Sequence, residues 1–467
     1  MRLGCPCHDE NSGNLFRSGK LQRRDPFQET RPGSHTMRIV CGLLAILVLL
    51  PGCRQEPVEE IHAPVANEAD VPYPIEIPPG SWPWWRGAER NNVVTEEVVD
   101  FQWSSQPNVA WSAKIQGLGH SSPIVVGDKV LVTTADEKQE TKSLLCYETA
   151  TGKPLWTRAI HQGGFMRTHQ KNSQASATPA SDGKHVFTAF MVKDSLYVTA
   201  VDLAGQIVWQ KEAGPFHSQH GYGSSPVIYG SVVIVLADSA GPGFLAALRR
   251  DTGEIVWRVS RDNEPSYGTP FLTKIAGTPQ ILVGGTGHTI SYNPDDGEEI
   301  WRAKGPAVTT ANTPNAAGDI VISSGGYPQN GVLGVLADGK GDVTSSKIAW
   351  EARERIYVPS PLVANGKVFA VNDEGIGLCY DAVSGERLAR KRIGGKFSAS
   401  LTLYGEQMLT PDEQGTMHVF NANEEFGEIA SFRLEGDGFA SPVFAGGKLF
   451  WRTSTHLYCL APGTPSP

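Results

Sequence analysis

The chain has 467 residues, 40% of them hydrophobic and 19% charged, with 51 Gly and 32 Pro. That Gly and Pro load favours many short strands and tight turns over long helices. Net charge is −8 with no basic run in the body of the chain, which excludes nucleic acid as a partner, because phosphate binding needs clustered Lys and Arg.

The first hundred residues divide by composition. Residues 1–36 show no apolar periodicity and are expected to be a non-translated or disordered extension, with Met37 as the start. Over 37–52, Met37-Arg38 is followed by an apolar run from Ile39 to Leu50 and then Pro51-Gly52-Cys53. The run is far short of the roughly 20 apolar residues that span a bilayer, so it reads as a signal peptide. Its end resembles a bacterial lipobox, which implies lipidation of Cys53 and a periplasm-facing anchorage in the bacterial cell envelope. Residues 53–81 are rich in Pro, Glu and Ala and are expected to be a disordered tether. Residues 82–107 open with Trp82-Pro83-Trp84-Trp85-Arg86-Gly87, a lead-in expected to pack on the outside of the domain that follows, with a sugar-binding platform as the second reading of the tryptophans.

From residue 108 to 461 one pattern recurs: Ser or Thr before Pro, an apolar strand, a turn, two further strands, a Gly turn and Trp. The openings are Ser122-Pro123, Thr178-Pro179, Ser225-Pro226, Thr269-Pro270, Thr313-Pro314, Ser360-Pro361, Ser400-Leu401 and Ser441-Pro442. Intervals between their second members are 56, 47, 44, 44, 47, 40 and 41 residues, the spacing of four-stranded propeller blades. Trp111, Trp156, Trp209, Trp257, Trp301 and Trp350 stand at one step of the repeat and are assigned to blade docking. Units six and seven carry Ala389 and Ser431 there and should dock less tightly. After Ser441-Pro442 only three strands remain, and 108–115 supplies the fourth. The fold expected is all-β: an eight-bladed β-propeller of four-stranded antiparallel blades, closed by pairing of N- and C-terminal strands. Residues 462–467 form a short disordered tail.

The array resembles the pyrroloquinoline-quinone (PQQ)-like propeller repeat family, carried by Ser-Pro…Asp-x-x-(Thr/Ala)-Gly-x-x-x-Trp over residues 111 to 460. That resemblance implies that each Trp stacks on small residues of neighbouring blades, here Cys146, Ala200, Ala247 and Cys379. The seven cysteines, an odd and sparse set, form no disulfide framework, and no pair in the body has zinc-ligand spacing. Quinone-dependent dehydrogenases of the family carry adjacent cysteines, a Trp beneath the cofactor and calcium-binding carboxylates. No Cys-Cys pair exists here, and neither PQQ nor a metal is expected. No nucleophile elbow, zinc-protease or P-loop motif is present either. The combination of lipobox, tether and eight short blades resembles BamB-type scaffold lipoproteins of outer-membrane protein assembly. Trp82-Pro83-Trp84-Trp85-Arg86-Gly87 and His169-Gln170-Lys171-Asn172 resemble envelope propellers of planctomycete-type bacteria.

The expected function is therefore that of a non-catalytic, monomeric, membrane-anchored binding or scaffold propeller for envelope proteins. The alternative is binding or modification of a small molecule or polysaccharide, including quinone-dependent oxidation. Residues just before each inner strand should ring one mouth of the channel: His120, His169, Lys171, Asn172, His217, His220, Tyr222, Tyr267, Asn312, Arg355, Tyr357 and Lys396, with His161, Phe397 and Phe439 nearby. Imidazole, Lys, Arg and Tyr on one rim suit an anionic or sugar-like ligand.

Overall fold

A computed structural model of the chain describes residues 57–62 and 73–463; the 1–36 extension, the 37–52 signal peptide and Cys53 lie outside the described residues. Eight sheets, antiparallel apart from the short parallel strand Gly341–Asp342 on the edge of the fourth, follow in chain order and close into an eight-bladed propeller. Blades 1 to 7 comprise residues 124–162, 180–215, 227–261, 271–304, 315–352, 362–392 and 402–433. Blade 8 is Val443–Ala445, Lys448–Arg452 and His456–Leu460, completed by Val109–Lys114. The last pairing is antiparallel, with Trp111 opposite Cys459, so the two ends of the propeller share one sheet and leave no open seam.

The middle strands of each blade are buried on both faces, as in Val232–Ala237, because neighbouring blades sandwich them. Outer strands alternate, and their Trp residues lock each blade to the next. Trp111, Trp156, Trp209, Trp257 and Trp350 lie against Gly152, Gly205, Gly253, Gly297 and Gly385 of the following blade. A Cβ at Gly152 or Gly385 would come within 2.4 Å of the indole, so only glycine admits this contact. Each indole N–H donates to a carbonyl of the same turn, for example Trp209 to Arg250 at 2.9 Å. Trp301 faces a blade with Ser346 in place of Gly, and its N–H goes instead to Gln280 Oε1 in its own blade at 3.0 Å.

Four sequence expectations change. Cys146, Ala200 and Ala247 are the cross-strand partners of Trp156, Trp209 and Trp257 within one blade, while the small residue of the neighbouring blade is the turn glycine. Cys379 faces Ala389 in the same way; all three body cysteines are buried and free, and burial pushes their thiols up to about 12. Blades 6 and 7 are not loosely docked. Phe426 from blade 7, 1% exposed, fills the space beside Ala389 against Phe369 and Phe420. At blade 7, Phe101 stacks on Trp103 at 4.6 Å and Trp103 on Phe432 at 6.2 Å, so lead-in aromatics replace the lost Trp.

The tryptophan cluster that opens the lead-in is not on the outer wall; only the later part, with Trp103, reaches the outer strand of blade 7. Trp82 pairs with Val125 of blade 1, Arg90 donates to Ile228 O of blade 3, and Val94 donates to Leu403 O of blade 7. The segment thus crosses one mouth of the central channel, where a concave apolar surface receives its tryptophans. Parts of the expected tether dock on the propeller, through their backbone and by burying Val58, with Ile75 and Ile77 packed against the same cluster. Ile61–His62 adds a fifth strand to blade 3 opposite Arg258 and Trp257, and Glu76 N–H donates to Asp182 O at 3.1 Å.

Candidate functional site: the axial pocket

The Ser/Thr that opens each repeat sits where its inner strand meets the axis, and it does a specific job. The backbone N–H of each donates to the hydroxyl of the same residue in the next blade. Seven such bonds run from Ser122 to Thr178, Thr178 to Ser225, Ser225 to Thr269, Thr313 to Ser360, Ser360 to Ser400, Ser400 to Ser441 and Ser441 back to Ser122, all at 2.9–3.1 Å. The Pro that follows in every blade but the seventh, where Leu401 stands, lacks an N–H and makes no competing claim on the acceptors. Among the described residues the junction from Thr269 to Thr313 lacks this bond. Thr313 Oγ1 accepts from Trp85 Nε1 instead, at 3.0 Å.

Trp85 thereby becomes the floor of a cavity of about 480 Å³ on the propeller axis. Arg86, fully buried, holds it from below by donating to the carbonyls of Pro314 at 3.2 Å and Pro361 at 2.8 Å, one residue beyond the hydroxyls. Burial pulls the Arg86 guanidinium down to about 9. The opposite mouth is open.

Of the rim residues expected from sequence, His120, His169, Lys171, Asn172, His220, Tyr267, Arg355 and Tyr357 line the cavity, with Phe439. His217 does not; it turns outward to Asp194 at 3.3 Å. Tyr222 is buried against Phe216 and donates to Leu236 O, so its hydroxyl is used structurally. Asn312 is buried and spends its amide on Ser324 Oγ and Ile356 O. Lys396 is exposed outside the cavity, and His161 packs on Phe190 and Tyr197 of blade 2.

The rim cations are neutralised. Lys171 Nζ meets Glu413 at 2.6 Å, which ties the loop before blade 2 to blade 7 over the mouth. Arg355 meets Asp373 at 2.7 Å and donates to Gly326 O. His169 and His220 pack edge to face at 5.6 Å, and burial, then the charge of His220, lowers the His169 pKa. His120 stacks on Phe439 at 4.3 Å, and burial takes it down to about 3, so the ring is neutral. Burial raises Tyr267 to about 12.

Sequence reasoning offers the tryptophan cluster holding Trp85 as a sugar platform only as its second reading, and it missed Tyr327, Asp373 and Glu413. The last two occupy matching hairpin positions in Asp373-Glu374-Gly375 and Asp412-Glu413-Gln414-Gly415, a pairing visible once blades 6 and 7 are aligned.

The donor set was tested against a quinone and its calcium. A Trp platform is present. The two carboxylates at the mouth are held by Lys171 and Arg355, and no three His, Cys, Asp or Glu converge on one point among the described residues. The body cysteines sit in three different blades, none beside the cavity. The pocket residues do not fit that pair.

Residues 101–239 match the family model described as outer membrane protein assembly factor BamB. A 168-residue stretch, 32% of the chain, is 25% identical to methanol dehydrogenase (cytochrome c) subunit 1 of Methylorubrum extorquens, and it spans only 25% of that protein's length. BamB from Moraxella catarrhalis superposes with a TM-score of 0.56 at 14% identity, over 76% of this chain and all but 1% of the other. Quinohemoprotein alcohol dehydrogenase from Comamonas testosteroni gives 0.62 at 12% identity, over 83% and 82% of the two chains. At such identities the solved structures establish a shared fold and no shared chemistry.

Proposed function

We propose that this member of the PQQ-like β-propeller repeat family is a binding propeller that takes a hydroxyl-rich, sugar-like molecule into its axial pocket. One observation carries the reading: the channel is closed at one end by the Trp85 indole and ringed by hydroxyls, making a blind cavity of about 480 Å³ with an apolar floor. That is the size and character of a small-ligand site. The C–H face of a sugar ring suits the Trp85 platform, and neutral His120, the Asn172 amide and the rim ion pairs suit its hydroxyls. Calorimetry of the purified chain against a panel of neutral and acidic monosaccharides and short glycans tests it. Binding lost in Trp85→Ala supports the reading, and equal binding by both proteins overturns it.

The protein-scaffold reading has its own support. The outer edge of blade 3 accepts an added strand, and the outer strands of the adjacent blades 1 and 2 expose Leu155, Ile207 and Val208. Strand addition at such edges is a common mode of peptide recognition. Cross-linking from native membranes through these outer strands, against cross-linking through the pocket mouth, separates the two.

Envelope anchorage through Cys53 belongs to the same proposal and is supported by the run from Ile39 to Cys53. Mass spectrometry of the isolated protein should find an acylated Cys53 at its N-terminus, and an unmodified cysteine there overturns that part.

A further inference from the structure

Among the described residues four guanidinium groups are buried, and they fall into two kinds. Arg250 is paired with Asp182 at 2.6 Å, and Arg261 with Asp238 at 2.5 Å. Arg86 and Arg452 have no carboxylate at ion-pair distance among the described residues. Arg452 donates through Nη1 to Ser121 Oγ and Thr133 O, and its Nε and Nη2 have no partner. Arg86 donates only to carbonyls, and its Nε is also unpartnered. A buried charge without a counter-ion is costly, so two such groups in one structure call for a reason.

Both stand directly behind the wall of the axial pocket. Arg86 follows the floor residue Trp85. Arg452 holds Ser121, which lies between the lining residues His120 and Ser122. Its charge reaches the cavity: after burial, Arg452 is the next cause of the depressed His120 pKa. His120 is itself buried, faces the cavity, and has Nδ1 without a partner. The rim cations Lys171 and Arg355 are already matched by Glu413 and Asp373. The surplus positive charge around the cavity is therefore that of the two buried arginines.

Resting on the pocket reading above, we infer that the ligand is an acidic sugar whose carboxylate or sulfate is directed to the corner formed by His120 and the floor. The anion supplies the counter-charge that Arg452 lacks behind His120, acting through a thin, low-dielectric wall, while Arg86, bonded to blades 5 and 6 across the floor, adds to the positive field. His120 is neutral, so its free Nδ1 accepts from a hydroxyl of the sugar, not from the anion, and the indole of Trp85 stacks on the sugar ring.

The probes are methyl glucuronide, a 6-sulfated methyl glucoside and uncharged methyl glucoside, titrated calorimetrically into the full-length protein at two salt concentrations. The wild type should prefer at least one anionic probe by about tenfold, the scale of one partly screened charge–charge interaction. The preference should shrink as salt rises. Which anion wins distinguishes carboxylate from sulfate. Arg452→Met should bring all three probes within about twofold of one another while methyl glucoside affinity is kept. Arg452→Lys should retain part of the preference. Equal wild-type affinities overturn the inference and leave the pocket reading standing. Failure of every probe to bind overturns both. An Arg452→Met protein that keeps the full preference also overturns the inference, and if that variant does not fold, a salt-independent wild-type preference does so.

Discussion

The indole N–H of Trp85 donates to Thr313 Oγ1 at 3.0 Å, at the one junction of the axial hydroxyl ring where the backbone donor is missing. The lead-in is thus bonded into the ring and forms part of the propeller. Trp85→Phe keeps a ring at the floor and removes this bond, and Thr313→Val removes its acceptor. Each should lower stability by about 1 kcal/mol, more for Thr313→Val, which leaves a buried donor unsatisfied. In a double-mutant cycle by chemical denaturation the two should couple by about 0.5–1.5 kcal/mol. Strict additivity would show that the contact does not form in solution.

Trp257 is 1% exposed and lies against Gly297 across the blade 3–blade 4 boundary. Trp257→Ala should cost about 3–5 kcal/mol, read as a fall in melting temperature. Ligand affinity of the folded fraction should be unchanged, because Trp257 is remote from the cavity lining. Gly297→Ala should also destabilise. Its φ is +76°, and the added Cβ would sit 2.6 Å from the Trp257 ring. A fully stable Gly297→Ala protein would mean that the indole does not need this close approach.

The eight-bladed count and the closing strand were legible because each blade repeats the same local signals: Ser/Thr-Pro at the axis, Gly before Trp at the outside. Strand bounds at the C-terminus, such as His456–Leu460, follow from them directly. What was not legible is everything that depends on distant chain segments meeting. Phe426 for the absent Trp at 389, and Trp103 beside Phe432, are substitutions in space with no counterpart in local pattern. The floor was missed for the same reason, since nothing local distinguishes a Trp that plugs the channel from one that packs on a wall. Most rim residues were legible because the position before an inner strand points to the mouth. His217, Tyr222 and Asn312 share that position, yet their side chains find Asp194, Leu236 O and Ser324 first.

Phe426 is the test of the compensation idea. If it replaces the missing Trp between blades 6 and 7, Phe426→Ala should cost about 3–5 kcal/mol, like loss of a docking Trp. Val383→Ala nearby, at 67% exposure, should change stability by less than about 0.5 kcal/mol. Similar small effects in both variants would show the blade 6–blade 7 junction to be loose after all.

The buried histidines set the response to acid. Burial takes His120 to about 3 and His161 to about 4, below the ordinary value of 6.5. The unfolded chain therefore binds protons that the native state refuses. Stability from these two groups is fully present above pH 6.5 and is lost as pH falls through the window toward 4 and then 3. For His120 the slope approaches about 1.4 kcal/mol per pH unit. His418 works in the opposite sense. Burial disfavours its charged form, but Asp412 at 3.5 Å and Glu428 at 3.1 Å outweigh burial and raise its pKa. Its contribution is present below pH 6.5 and is lost as pH rises through the raised value. Melting temperatures across pH 4–8 separate the two. His120→Phe, which keeps the stack on Phe439, should flatten the acid limb, whereas His418→Gln should lower stability evenly below pH 6.5 and remove the decline above it. An acid limb untouched by His120→Phe would mean that this imidazole takes up its proton in the folded protein.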